Sequence, residues 1–391
     1  MLKFLGGLVL LLLLLIGGFF WLASTRPMVA SSLAWPLVEW YALDEFKGVT
    51  TDGVVQGNLF SIADTGVSNG EVVRAAKQFL QGLTAAQRVK TLHAVDDLEW
   101  RRWANIHLST RRGVGLLEMD AEQKALAFDL MRASLSARGF QTAQDIMKLE
   151  GHLADLLDNY VEYGEERYWF TVMGEPSESE PWGWQLDGHH LIVNFFVLGS
   201  QVVMTPTFMG SEPTRADTGR FAGTVILQEE TDLALQFVNA LSDEQRALAI
   251  VEARKTGNNN YGELFSDNVV VPEQGLGLAT LDAAQKTLAV ELISLYTGQM
   301  RDAQAAVKLE EIMAHWDNTR FAWIGDTGPE AVFYYRIQSP VVLIEFDHQG
   351  PIALDGPRVP SRNHIHTVVR TPNGNDYGKD LLRQHLAQHP H

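Results

Sequence analysis

The spacing of apolar and polar residues changes twice along the chain. An unbroken apolar run covers residues 4–23 and is long enough to span a bilayer. From Glu71 to Leu157, apolar residues recur mostly at helical spacing. Beyond Glu166, aromatic and β-branched runs predict a meander of antiparallel strands. The pattern therefore predicts an α+β protein that is preceded by one apolar N-terminal segment.

Two short motifs predict where helices begin. Thr84 and Asp120 are each followed three residues later by glutamine, which is the spacing of a capping box. A further helix is predicted over residues 141–157. The predicted strands cover Tyr168–Val172, Trp182–Leu186, Leu191–Leu198 and Gln201–Phe208.

The same series of motifs occurs twice in the same order, which indicates an internal duplication. Three motifs recur: Phe79…Gln87-Arg88 as Phe237…Gln245-Arg246, Asp120-Ala-x-Gln-Lys124 as Asp282-Ala-x-Gln-Lys286, and Lys148-Leu-Glu150 as Lys308-Leu-Glu310. We therefore expect two halves, 71–228 and 229–391, each a helical segment followed by antiparallel strands in one pseudo-two-fold body. Residues 26–70 are predicted to be a linker with short strands, and residues 1–25 a signal anchor.

Composition excludes several classes of function. The 391 residues include 31 Lys and Arg against 48 Asp and Glu, which gives a net charge of −17. This net charge argues against a nucleic-acid binder, which would need a basic face to neutralise phosphates. The absence of cysteine excludes disulfides, thiolate metal sites and a cysteine nucleophile.

The charges that flank the apolar run predict its orientation. Lys3 precedes the run and Arg26 follows it, which favours a cytoplasmic N-terminus and an exported body. We expect a single-pass membrane protein whose folded part is extracytoplasmic. A small-residue pattern around Ala30 leaves open a cleaved signal and a secreted or periplasmic protein.

Two histidine pairs carry the chemistry that we predict. His189 and His190 follow the Asp187-Gly188 turn, whereas His364 and His366 alternate along a strand and so share one face. Histidines on neighbouring strands, with a carboxylate, are a first shell for Zn, Cu, Mn or Fe. The carboxylate is predicted to be Glu345, since a charge in its apolar run is costly to bury unless it is paired or metal-bound. The predicted metal ligands are His189, His190, Glu345, His364 and His366.

Glu345, Asn194 and Arg336 are the candidate catalytic residues. Structural roles remain open for each of them: Arg336 could pair with Glu345 across two strands, and Asn194 could hydrogen bond with His190 on a polar strand face. His189 could cap the turn that precedes it.

Seven motifs together resemble a bacterial family catalogued as domain of unknown function 3500. The resemblance covers Phe79 to the C-terminus and rests on Gly174-Glu-Pro176, Trp182-Gly-Trp-Gln185, Gly188-His-His-Leu191, Thr205-Pro-Thr-Phe208, Phe333-Tyr-Tyr-Arg-Ile337, Leu343-Ile-Glu-Phe346 and Asn363-His-Ile-His366. Asp187 stands where that family typically has glutamate, a change that keeps the turn. The resemblance implies an exported protein and directs attention to the histidine positions, and it implies no particular reaction.

Two functions follow from these patterns. The first is a metal-dependent hydrolase with a His/Glu site, in which a metal-bound water completes the shell. The second is a non-catalytic binding or scaffolding module of the cell envelope. In that module, Trp182, Trp184, Tyr334 and Tyr335 would line the surface that binds a small-molecule, peptide or glycan ligand.

Overall fold

The structure, a computed structural model, describes residues 22–389. The predicted membrane segment, 4–23, therefore lies almost entirely outside the described residues. Within residues 22–389, no helix combines the length and apolar character needed to cross a bilayer. The α+β class is confirmed, because helices pack on one large mixed sheet.

Ten helices are numbered here in chain order. They are α1 (Pro27–Ala42), α2 (Gly70–Gly82), α3 (Ala85–Thr91), α4 (Ala121–Ser134), α5 (Ala137–Leu157), α6 (Gln228–Ala240), α7 (Asp243–Ala249), α8 (Ala283–Thr297), α9 (Asp302–Ala314) and α10 (Lys379–Gln388). Thr84 caps α3 and Asp120 caps α4 by the predicted capping boxes. Ser242 and Asp282 cap α7 and α8 in the same way.

The strands form one 13-stranded sheet. They are β1 (Leu92–His93), β2 (Val114–Gly115), β3 (Trp169–Met173), β4 (Trp182–Asp187), β5 (Leu191–Leu198), β6 (Gln201–Val203), β7 (Thr207–Ser211), β8 (Ile250–Glu252), β9 (Leu276–Gly277), β10 (Arg320–Gly325), β11 (Phe333–Gln338), β12 (Leu343–His348) and β13 (Ile365–Arg370). Their order is β1-β3-β4-β5-β7-β13-β12-β11-β10-β8. The neighbours along this path are antiparallel except β1–β3 and β8–β10, which are parallel.

Two expectations about local structure need correction. The strand predicted over Gln201–Phe208 is divided into β6 and β7, because Pro206 lies between them and lacks the N–H that a ladder requires. The predicted linker, 26–70, contains the helix α1 rather than short strands, and its only contact of strand type is an isolated bridge from Thr50 to Val270. Pro27 occupies the first turn of α1, where a missing N–H costs nothing.

The two faces of the sheet are covered differently. One face packs on the helices in the main core, where strand residues such as Trp184 and Phe346 meet helix residues such as Phe79. The other face is covered by connecting segments that contribute Trp100 and Tyr377. The segment 259–263 also lies over this second face and bonds to β12. The histidines predicted as metal ligands at positions 190, 364 and 366 lie where the central strands β7 and β13 meet the β4–β5 hairpin.

Candidate metal centre

Three of the predicted histidines converge at this junction. His190 ends the β4–β5 turn, His366 lies in β13, and His364 directly precedes β13. One ring nitrogen from each lies within 4.8 Å of the others. The three residues are only 1%, 2% and 6% exposed in the order His190, His364 and His366. The cluster is therefore an interior site.

A glycine makes room for the three rings. Gly210 of β7 stands opposite His366 in the β7–β13 register, and its N–H donates to the carbonyl of His190 at 2.9 Å. A Cβ at position 210 would lie 2.6 Å from the Ile365 carbonyl oxygen and 3.0 Å from the His366 ring. Any side chain at position 210 would thus push the rings or the strands apart.

Each histidine of the cluster bonds through Nδ1 to an oxygen outside it. Nδ1 of His190 lies 2.8 Å from Glu150 of α5, and Nδ1 of His366 lies 2.7 Å from Glu263. Nδ1 of His364 lies 2.7 Å from the carbonyl oxygen of Gly350. The nitrogen that each ring has left for a further ligand is therefore Nε2.

The protonation of Nδ1 follows from its partners. Burial would raise the pKa of Glu150, but His189 and His190 outweigh burial and hold this pKa well below its usual range. Burial likewise opposes ionisation of Glu263, yet His366 and further hydrogen bonds lower its pKa to about 2. An ionised carboxylate and a backbone carbonyl can only accept, so every Nδ1 of the cluster donates.

The Nε2 atoms consequently lack suitable partners. Nε2 of His364 and Nε2 of His366 are 2.9 Å apart. Burial and the neighbouring rings lower the pKa of His364 well below its usual value, so this ring is neutral and its Nε2 has no proton to donate. Nε2 of His190 is buried and has no hydrogen-bond partner within residues 22–389. Three nitrogen lone pairs therefore meet in one buried place.

His189 lies between this cluster and solvent. Its ring stacks on His190 with centroids 3.8 Å apart, and its Nδ1 bonds to the other oxygen of Glu150 at 2.8 Å. The side chain is 13% exposed and also contacts the rings of His107 and Tyr163. Burial and the adjacent His190 lower the pKa of His189 to about 3. His189 is thus a neutral group on the more exposed side of the cluster, and it is not a member of the group formed by His190, His364 and His366.

Glu345 is buried as expected, but it does not join the histidines. Its two oxygens accept from the backbone N–H groups of Tyr261 and Gly262, at 2.9 and 2.8 Å, and from the Tyr334 hydroxyl at 2.7 Å. Burial raises the pKa of Glu345 to about 7 in spite of these donors. The predicted ligand role is wrong for this structure, because the carboxylate is occupied in holding a loop.

The other two candidate catalytic residues also have structural partners. Asn194 accepts from Gln185 at 2.6 Å and donates to the carbonyl of Pro206 at 2.7 Å. Arg336 faces Glu345 in the β11–β12 register, but it donates to the carbonyl of Pro272. No ion pair joins Arg336 to Glu345 in the described part of the chain, so the cross-strand salt bridge that the sequence left open as an alternative is absent there. Neither Asn194 nor Arg336 reaches the histidine cluster through these bonds.

The aromatic residues proposed to line a ligand surface lie in the interior. Trp182, Trp184, Tyr334 and Tyr335 are at most 1% exposed. Trp184 stacks between Phe170 and Phe195 in the main core. These rings cannot present a ligand surface, which removes the chief support for the binding-module hypothesis.

Sequence reasoning missed the oxygens that orient the rings. Glu150 carried a usable signal, because it falls on the buried stripe of α5 formed by Ile146, Leu149 and Leu153. A carboxylate on such a stripe requires a partner. Glu263 carried no comparable signal, since it lies in an irregular segment far from His366 in sequence.

Comparison with known proteins places the chain in a family. The sequence model of the family described as protein of unknown function (DUF3500) matches residues 65–379, and the chain belongs to that family. The expected resemblance is confirmed. Neither the curated proteins nor the solved structures contain a match to this chain.

Proposed function

We propose that this member of the DUF3500 family binds one divalent transition-metal ion between His190, His364 and His366 and uses it for hydrolysis. The observation that carries the proposal is the convergence of three buried imidazoles, with one nitrogen of each within 4.8 Å of the others, on rings whose Nδ1 donates to a fixed oxygen. Metal-bound histidines characteristically donate their second nitrogen to a carboxylate or carbonyl in this way.

A proton explains the cluster less well than a metal ion does. One proton shared by His364 and His366 would satisfy their contact of 2.9 Å, but it would leave Nε2 of His190 without a partner. An unpaired buried polar atom is costly. A tetrahedral ion would satisfy all three nitrogens at about 3.4 Å from one another, given metal–nitrogen bonds of about 2.0–2.1 Å. This spacing falls between the shortest separation and the outer limit of 4.8 Å that the cluster shows.

The donor set narrows the choice of metal. With Glu345 bonded to the segment 261–262, the three donors that remain are imidazoles. Imidazole suits zinc, copper and iron, whereas manganese favours oxygen ligands. Zinc, copper and iron are therefore the ions that we favour among the four predicted.

Three protein ligands leave a coordination position for water or substrate. A bound metal would supply a water whose pKa is lowered towards neutrality, which is the nucleophile of metal-assisted hydrolysis. In this chain, Glu150 fixes both His190 and the adjacent His189, and Glu263 fixes His366. The enclosed position favours a small-molecule substrate over a folded protein.

Metal content of the full chain tests the proposal. The chain is produced without a histidine tag, and bound metals are measured by plasma mass spectrometry. We expect close to one ion per chain, and loss of that ion in the His364→Gln/His366→Gln variant. His348→Gln is the matched control, because His348 is equally buried but packs against Phe333 and Phe346 instead of the cluster.

The outcomes separate binding from catalysis. A folded chain that takes up no zinc, copper, iron or manganese after reconstitution contradicts the metal site. Hydrolysis is assayed with a panel of chromogenic ester, phosphoester and glycoside substrates. Stoichiometric metal without hydrolysis of any of them would leave a metal-binding protein and remove the hydrolase.

We also infer that the two halves arose by duplication and have since diverged around the site. In support, the strand orders β7-β5-β4-β3 and β13-β12-β11-β10 run outward from the centre of the sheet in equivalent order, with β2 and β9 pairing at equivalent places. The counterpart of Glu150 is Glu310, which is exposed on α9. The counterpart of His190 is Val341, which is apolar and buried. The second half therefore lacks equivalents of His190 and of the carboxylate that orients it.

We propose further that the apolar run at residues 4–23 anchors the chain in a membrane with the folded body on the extracytoplasmic side. The support is sequence: the run is apolar throughout and follows Lys3. We expect the full chain to float with phosphatidylcholine vesicles in a density gradient. A full-length chain that stays in the soluble fraction contradicts this location.

A further inference from the structure

The helix α1 presents its apolar side outward. Leu33, Leu37, Trp40 and Tyr41 are 63%, 69%, 81% and 84% exposed. Their spacing of four, three and one residues places them on one face of the helix. In a soluble protein such an apolar stripe normally faces the core, whereas in α1 it faces outward.

The opposite face of α1 fixes this orientation. Glu39 accepts from both terminal nitrogens of Arg112, at 2.8 and 2.7 Å, and Trp35 packs on Phe265 with ring centroids 5.9 Å apart. The Ser31 hydroxyl donates to the carbonyl of Leu108. The apolar face cannot turn inward without breaking these contacts.

Charge distinguishes a lipid surface from other partners. Glu39 is the only charged residue in α1, and it is buried in its pair with Arg112. The outward face is therefore uncharged in a chain whose net charge is −17. Tryptophan and tyrosine are the residues enriched at the level of lipid headgroups. Moreover, the apolar run at 4–23 ends only a few residues before α1 begins.

We propose that α1 lies on the bilayer surface, with Leu33, Leu37, Trp40 and Tyr41 in the interfacial region of the lipid. An uncharged apolar face with terminal aromatics has the character of an interfacial helix. The contacts of α1 with Leu108 and Arg112 join it to the segment that also carries His107, whose ring contacts His189 beside the histidine cluster. The bilayer would thus hold the body in a fixed orientation.

The absence of cysteine makes a direct test practical, because an introduced cysteine is unique. Leu37→Cys in the full chain is labelled with an environment-sensitive fluorophore and incorporated into phosphatidylcholine vesicles. The matched control is Leu248→Cys, because Leu248 is a leucine of α7 with a similar exposure of 63%. We expect a blue-shifted emission, several-fold less quenching by iodide, and quenching by acyl-chain nitroxides at position 37 only.

Three outcomes of the labelling experiment distinguish a helix on the lipid surface from the alternatives. Equal iodide quenching at positions 37 and 248 in chains that float with the vesicles would overturn the surface helix while leaving the anchor in place. Protection at position 37 that disappears when lipid is added in excess would indicate contact between copies of the chain, and it would also overturn the proposal. Acyl-chain quenching at position 37 that persists at high lipid ratios supports it, and a second label at Leu33→Cys should then behave alike.

Discussion

Each ring of the cluster depends on a single oxygen atom that lies outside it. Glu150 serves two rings at once, since one oxygen accepts from His189 and the other from His190. Replacement by glutamine would place an amide NH₂ against one of these N–H donors. One ring would have to move its proton to Nε2, and if that ring is His190 the cluster loses a lone pair.

We predict that Glu150→Gln lowers metal affinity by about 10–100-fold, the range for loss of a group that orients a metal ligand. Glu310→Gln is the matched control, because Glu310 ends the same Lys-Leu-Glu motif in the second half but is exposed. Competition with a chromogenic chelator measures both affinities. Equal affinities in the two variants would show that Glu150 does not orient a ligand.

At the scale of elements, the segment 259–263 is held on the sheet by β12 and β13. Glu345 accepts from the backbone of Tyr261 and Gly262, and Arg370 donates to the Gly262 carbonyl at 2.7 Å. A Cβ on Gly262 would lie 2.9 Å from Glu345, so the close approach requires glycine. Glu263 follows directly and bonds to His366. Glu345 thus positions the carboxylate that orients a ring of the cluster.

We predict that Glu345→Gln loosens this segment. A glutamine side chain can accept from only one of the two N–H groups, which weakens local closure by about 1 kcal/mol and speeds amide exchange by about fivefold. Hydrogen exchange read by mass spectrometry on the peptide containing Tyr261 and Gly262 measures the effect. Glu273→Gln is the control, since Glu273 forms only a surface pair with Arg320. Unchanged exchange in Glu345→Gln would refute this positioning role.

At the scale of the whole molecule, the histidine cluster draws its members from both halves of the chain. His190 belongs to the first half, whereas His364 and His366 belong to the second. The halves are continuous through the β7–β13 ladder, where five residue pairs from Ile365–Ser211 to Val369–Thr207 are in register. Strands that share a ladder and a core cannot separate without exposing both.

We predict that the chain unfolds in one cooperative transition and that bound metal stabilises both halves together against unfolding. Circular dichroism and tryptophan fluorescence should give coincident curves in denaturant. Free metal at about 100 times its Kd should add about 2.7 kcal/mol to the free energy of unfolding. In the His364→Gln/His366→Gln variant, added metal should not increase the free energy of unfolding. Two separated transitions, or an equal gain in the variant, would contradict a centre that spans the halves.

The sequence alone determined the features that depend on short-range contacts. Capping boxes at Thr84 and Asp120 fix helix starts, because the bonding groups are three residues apart. The alternation of side chains along a strand put His364 and His366 on one face. The seven motifs taken together were also enough to identify the family. Each cap, each strand pattern and each motif needs only residues that are neighbours along the chain.

Only the tertiary structure decided which groups meet. The sequence predicted that Glu345 is a metal ligand, because a buried carboxylate needs a partner. The burial is confirmed, but the partner is the backbone of residues 261–262. Sequence reasoning gave no role to Glu150, which reaches His190 from a helix. The apolar residues around Glu345 in its strand were enough to predict that its carboxylate is buried and needs a partner. The identity of that partner depends on how distant segments pack, because several donors would satisfy the same carboxylate.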